Sequence, residues 1–163
     1  MPLTDQDRSA IERFRDDARR RYAGDTRFGP SLRHDRDDGA ALADWFPIGD
    51  QLWLEICLRP TIPQLRAGIV TDDRWKSEDL EQVIEDSGDT MSEFVEMGFD
   101  EAGLNWSEPP VEHFRDQGKY FYFATGFELK SLAELDSQLV RDKLHGIFEG
   151  YYLAFRPALT RPG

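Results

Sequence analysis

Apolar residues return every three or four positions at Ile11, Phe14, Ala18 and Tyr22, the spacing that lines up side chains on one face of a helix. A helix over residues 5 to 22 is predicted. Thr4 followed by Asp7 marks its start, the hydroxyl accepting from free first-turn amides and the acid lying near the positive helix end. Gly24 marks its stop. Residues 24 to 41, GDTRFGPSLRHDRDDGAA, lack a period and read as a long loop. The pattern then changes to two. Residues 43 to 48 predict a short strand, Gly49-Asp50 a turn, and Leu52, Leu54, Ile56 and Leu58 alternate with Gln51, Trp53, Glu55, Cys57 and Arg59. Pro60 and Pro63 close this strand, and residues 65 to 70 predict another, so 43 to 70 reads as an antiparallel meander.

Ser77, with Glu78 and Asp79 behind it, predicts the start of a second helix. Its stripe is Leu80, Val83, Ile84, Met91, Phe94 and Val95, interrupted by Ser87-Gly88. Pro109-Pro110 is a turn or edge, with a short strand expected at 104 to 107 or 111 to 115. GKYFYFATGFEL, residues 118 to 129, has aromatics at five of twelve positions and predicts a strand. Ser131 and Glu134 form a capping box, and apolar positions from Leu132 to Phe155 predict a long final helix. Pro157 stops it, leaving 157 to 163 as a tail.

These elements describe one α+β domain: an antiparallel sheet of about five strands with three helices, in the order α-β-β-β-α-β-β-α. The length of 163 residues suits a single domain with a sizeable core. From about Asp5 to Phe155 this order, with the size and acidity, resembles type III secretion chaperones and the related YbjN-like proteins. The resemblance implies a small protein that commonly dimerises and binds another polypeptide or regulates by association, and it carries no residue over by identity.

The net charge of -12 argues against nucleic acid and anionic membranes as partners, since a phosphate backbone needs a surplus of Lys and Arg on one face. Even Arg19-Arg20-Arg21 follows Asp16 and Asp17. Cys57 is the sole cysteine, so no intrachain disulfide can form and a reducing compartment is expected. With no signal-peptide core and no membrane-length apolar run, the expected location is the cytoplasm.

Alternation sorts the strands into two faces. Leu52, Leu54, Ile56, Leu58, Leu65, Ala67, Ile69, Phe121, Phe123, Phe127 and Leu129 form one, expected under the helices. Trp53, Glu55, Cys57, Arg59, Gly68, Val70, Tyr120, Tyr122, Ala124 and Gly126 form the other. On one reading the long loop or a helix covers this second face, or it stands half-exposed as one-sided sheets allow. On the other it is a partner or dimer surface: Tyr and Trp bury large areas while keeping a polar handle, and Ala124 and Gly126 admit a second backbone. The candidate partner-binding residues are Trp53, Tyr120, Tyr122, Val70, Ala124 and Gly126.

Catalytic and metal chemistry find little support. Asp35, Asp37, Asp38 and Gly39 resemble a calcium loop, but counted from Asp35 the glycine is fifth and the twelfth residue is Phe46, where the pattern needs the sixth and a glutamate. A solvated acidic loop is expected. Asp142, His145 and Glu149 share a helical face, read as surface ion pairing because a metal site needs three or four convergent donors. Glu112-His113 has no recognisable partner. Cys57 on its strand reads as packed and not nucleophilic. No nucleophile-elbow, zinc-protease, phosphate-loop or dinucleotide-binding motif is present. The expectation is a non-enzymatic protein without a cofactor that forms a homodimer and binds a partner polypeptide through its aromatic sheet face. An inhibitor or immunity-type protein acting through its acidic surface is one alternative, and a small enzyme or ligand sensor with a pocket assembled from distant segments is another.

Overall fold

The computed structural model describes residues 2–159. Helix α1 (Asp5–Tyr22) spans the predicted residues: Thr4 Oγ1 accepts from the Asp7 amide at 3.0 Å, and the Asp7 carboxylate accepts from the Thr4 amide at 3.0 Å. Two donors left open at the helix start are thereby satisfied. The expected meander follows as β2 (Leu42–Gly49), β3 (Leu52–Arg59) and β4 (Gln64–Thr71), preceded by a two-residue strand β1 (Leu32–Arg33). Then come α2 (Arg74–Ser87), α3 (Met91–Glu101), β5 (Glu112–Asp116), β6 (Tyr120–Glu128), a 3-10 turn (Leu132–Asp136) and α4 (Gln138–Leu159). The six strands lie in the order β1-β2-β3-β4-β6-β5, every neighbouring pair antiparallel.

The α+β class matches the sequence reading, while the counts of strands and helices differ for local reasons. β1 is too short to show a period. The second predicted helix is two: Gly88 takes the left-handed conformation at φ 76°, ending α2. Thr90 and Glu93 then form a capping box that starts α3. Asp73, not Ser77, caps α2 by accepting from the Trp75 amide at 2.9 Å, and Ser77 is buried inside the helix. The Ser131–Glu134 segment opens the 3-10 turn, and α4 begins only at Gln138. Pro157 does not stop α4; it lies in the last turn, where its missing N–H removes one bond from a helix of 22 residues. Residues 160 to 163 of the expected tail lie outside the described residues.

All four helices bury their apolar stripes against one face of the sheet. The cluster they form contains the predicted Leu52, Leu54, Ile56, Leu58, Leu65, Ala67, Ile69, Phe123 and Leu129, with Phe127 packed at its margin. Phe121 is only half-buried, under the Arg115 guanidinium at 5.2 Å. Phe99, Phe148 and Phe155 are fully buried, each contributing about 1.5–3 kcal/mol through removal from water. Helices α3 and α4 cross closely at Gly98 and Gly150, where a Cβ on Gly98 would stand 2.3 Å from the Gly150 carbonyl oxygen. One face of the sheet is thus fully committed to the core, and the other is left to the chain's loops.

Candidate functional site: a concave pocket on the second sheet face

The register brings the second-face residues into rows across the strands. Trp45 pairs with Glu55, Glu55 with Gly68 and Gly68 with Ala124, while Ala43, Cys57 and Arg66 form the next row. Trp53, Val70, Tyr122 and Phe114 form a third. In a flat sheet Trp45 on β2 and Tyr120 on β6, three strand steps apart across the sheet and four residues apart along it, would stand about 19 Å from one another. Their ring centroids are 5.2 Å apart. The sheet therefore curls, and this face is concave. Gly68 permits close approach at the bend: a Cβ there would meet the Phe123 carbonyl oxygen at 2.1 Å and the Ala124 Cβ at 2.7 Å. The close backbone neighbour that Ala124 admits is the protein's own β4.

Residues 34 to 41, between β1 and β2, form a strap across one end of the concavity. His34 stacks on Trp45 with centroids 3.8 Å apart, its amide donating to the Ala43 carbonyl, and the Arg36 amide donates to the Ala41 carbonyl. Asp35 anchors the strap. Its carboxylate accepts from the Ala43 amide at 2.9 Å and from both terminal nitrogens of Arg15, at 3.0 and 2.7 Å. Arg15, on α1 and buried, also donates to Asp44 at 3.0 and 3.2 Å and to the Ala43 carbonyl at 3.0 Å. Arg36 reaches across to pair with Asp116 at the far edge of the sheet. Asp35, Asp37 and Asp38 are exposed, as expected of a solvated acidic loop, but Asp35 is in addition held by a buried guanidinium.

Strap, sheet and the turn after β5 enclose a cavity of about 290 Å³, with His34, Arg36, Glu55, Arg66, Phe114 and Tyr122 in its wall. Glu55 is 2 % exposed and Arg66 7 % exposed. Trp45 Nε1 donates to Glu55 Oε2 at 2.7 Å. The other carboxylate oxygen and Arg66 Nε have no hydrogen-bond partner, and the two side chains approach only to 3.6 Å. The Arg66 guanidinium lies over the rings of Phe114 and Tyr122, at 5.1 and 5.6 Å. Burial pushes the Glu55 carboxyl above the usual carboxylate range, with Arg66 pulling the other way. Cys57 is buried, and burial, reinforced by Glu55, pushes its thiol up to about 12, which favours the protonated form. Tyr122 is raised by the same two causes and is a neutral phenol.

The candidate residues thus divide. Val70, Tyr122 and Ala124 are buried in the concave floor, Trp53 and Tyr120 are half-buried beside Trp45, and Gly126 is partly exposed near the edge. They do not form one open face, because the strap closes one end and the curl of the sheet folds the face in on itself. Sequence reasoning missed Trp45, Arg66, His34 and Phe114. Extending the alternation back from Val70 through Gly68 reaches Arg66, and the same parity in β2 reaches Trp45; no local pattern points to His34.

The other histidines are structural. His145 is buried, contrary to the surface reading, and its Nδ1 shares a 2.9 Å hydrogen bond with the Tyr22 hydroxyl. Glu149 instead pairs with Arg27. His113 contacts the Tyr122 carbonyl and Glu81, each at 3.0 Å. Among the described residues no group of three or more His, Cys, Asp or Glu is placed to hold a metal ion, and no helix is long and apolar enough to cross a membrane. In comparisons with protein families, curated proteins and solved structures, the chain matches none of them.

Proposed function

We propose that this chain is a non-enzymatic binding protein whose site is the concave pocket, and that it receives a small ligand or one protruding group of a partner polypeptide. The observation that carries the reading is Arg66: a nearly buried guanidinium in a cavity wall, with Glu55 beside it beyond hydrogen-bond distance. Buried charges are ordinarily paired and fully hydrogen-bonded. A concave site with apolar walls and a few convergent polar groups is the usual form of a ligand pocket.

This narrows the broader reading of an aromatic sheet face for a partner polypeptide. A strand laid along Val70, Tyr122 and Ala124 would have to displace the strap, whereas a single group needs only the cavity. The chaperone-like resemblance and a homodimer are compatible with such a site, Trp53 and Tyr120 then forming part of its margin. The test is a thermal-shift screen of small acids, phosphates, amines and amides, repeated with a pocket-filling Ala41→Phe variant. Compounds that raise the melting temperature of the wild type and not of a folded variant support the pocket. Equal shifts in both proteins, or none in either, contradict it.

A further inference from the structure

We propose that the concave pocket takes a small monocarboxylate, held edge-on by the Arg66 guanidinium with its apolar part against Ala40, Ala41 and Ala43. This deepens the binding role proposed above and rests on it. Three arginines line the cavity, but Arg36 is taken by Asp116, and Arg59 donates to Gln64 Oε1 at 3.3 Å. Arg66 has only the rings beneath it and Glu55 at 3.6 Å. Its planar fork matches a carboxylate with two parallel hydrogen bonds. A ligand carboxylate therefore replaces a contact that is not itself a hydrogen bond.

Charge chooses among anions. With Arg36 paired to Asp116, the two remaining arginines of the wall are matched by Asp38 and Glu55, so no surplus positive charge balances the second charge of a phosphate dianion, which Glu55 beside Arg66 repels. A cation is disfavoured, because Arg66 already occupies the faces of Phe114 and Tyr122 where a cation would sit. Ala40, Ala41 and Ala43 add small apolar surface that suits the hydrocarbon end of an acid.

Glu55 sets the condition for entry. It faces Trp45 on β2, Arg66 on β4, Tyr122 on β6 and His34 on the strap, with Cys57 on its own strand. When the ligand carboxylate takes Arg66, the unpartnered Glu55 oxygen faces a second negative charge. Taking up one proton there removes the repulsion and turns that oxygen into a donor to the ligand, while the Trp45 bond to the other oxygen persists. A free organic acid and the C-terminus of a polypeptide both present this carboxylate, and the test separates the two.

The test follows the Trp45 indole N–H in a ¹⁵N–¹H spectrum, identified by its loss in Trp45→Phe, while benzoate, benzamide, phenyl phosphate, and the acid and amide forms of N-acetyl-Gly-Phe are titrated. Benzoate should move this resonance saturably, more tightly than phenyl phosphate, with benzamide inert at the same concentrations. Arg66→Lys should weaken benzoate at least about tenfold, since bidentate pairing is lost, and Glu55→Gln should bind it at least as tightly as the wild type. An acetylated peptide acid that binds more tightly than benzoate and fails as its amide identifies a polypeptide terminus; the reverse order identifies a free acid. Benzamide matching benzoate, or Arg66→Lys binding unchanged, overturns the carboxylate assignment and leaves the pocket as a binding site. No movement with any probe up to its solubility overturns both. Should Arg66→Lys fail to fold, the contrast of benzoate with benzamide on the wild type decides.

Discussion

Replacing Arg15 with leucine tests how the strap is held. Its guanidinium makes five hydrogen bonds, two to Asp35, two to Asp44 and one to the Ala43 carbonyl, and its side chain is 3 % exposed. Removing one partner of a buried ion pair leaves an uncompensated charge, a loss of about 3–5 kcal/mol. For a chain of this length that corresponds to a melting temperature lower by roughly 10 °C. The two acids respond differently to their shared arginine. At Asp35 burial, the largest single cause, raises the pKa, but the Arg15 hydrogen bonds and charge together with the Ala43 amide outweigh it and the net shift is down; at the more buried Asp44 burial wins and the net shift is up. Without Arg15 the Asp44 pKa rises further, so the folded variant binds a proton that the unfolded chain does not. Its stability then increases as pH falls toward the ordinary Asp range, and its deficit against the wild type narrows. Urea unfolding followed by far-ultraviolet circular dichroism at pH 7 and pH 4.5 measures both effects, with Arg15→Leu/Asp44→Leu completing a double-mutant cycle. A loss below about 1 kcal/mol at pH 7, the scale of a surface ion pair, would refute the buried anchor.

Two further perturbations address the helical layer. Burial, with Arg21 adding to it, pulls the His145 pKa down from 6.5 to about 4. Because the unfolded chain binds this proton more readily, the associated stability is present above the ordinary histidine range and is lost as pH falls from about 6.5 through 4, up to about 3 kcal/mol. His145→Gln should flatten that part of the urea-midpoint profile; a profile parallel to wild type contradicts the assignment. Gly98→Ala should lower stability by about 1–3 kcal/mol in thermal unfolding, since its Cβ would overlap the Gly150 carbonyl, and an unchanged melting temperature would show that α3 and α4 are not packed this closely.

The sequence revealed the parts of the protein that depend on local repetition. The period-two run from Leu52 to Arg59 located β3 and sorted its two faces, and Thr4 with Asp7 marked the start of α1 because a cap is chemistry among neighbours. The T-x-x-E signal at Thr90 was equally local, but the continuous stripe from Leu80 to Val95 concealed it. The pocket was less legible because sheet curvature brings its parts together. Nothing near His34 shows that it stacks on Trp45, and nothing near Arg15 shows that it holds Asp35 and Asp44. The alternation did place Glu55, Cys57 and Tyr122 on one face, but it could not show that the face closes over itself.

The central structural claim, a closed concave face built around Trp45 and Glu55, is tested most directly by hydrogen exchange of the four tryptophan indole N–H groups. Trp45 is 4 % exposed and donates to Glu55 at 2.7 Å, whereas Trp75 is 72 % exposed. Slow exchange at Trp45 beside rapid exchange at Trp75, with Trp45 accelerated in Glu55→Ala, is the predicted result. Exchange at Trp45 as fast as at Trp75 would show an open face and contradict the pocket.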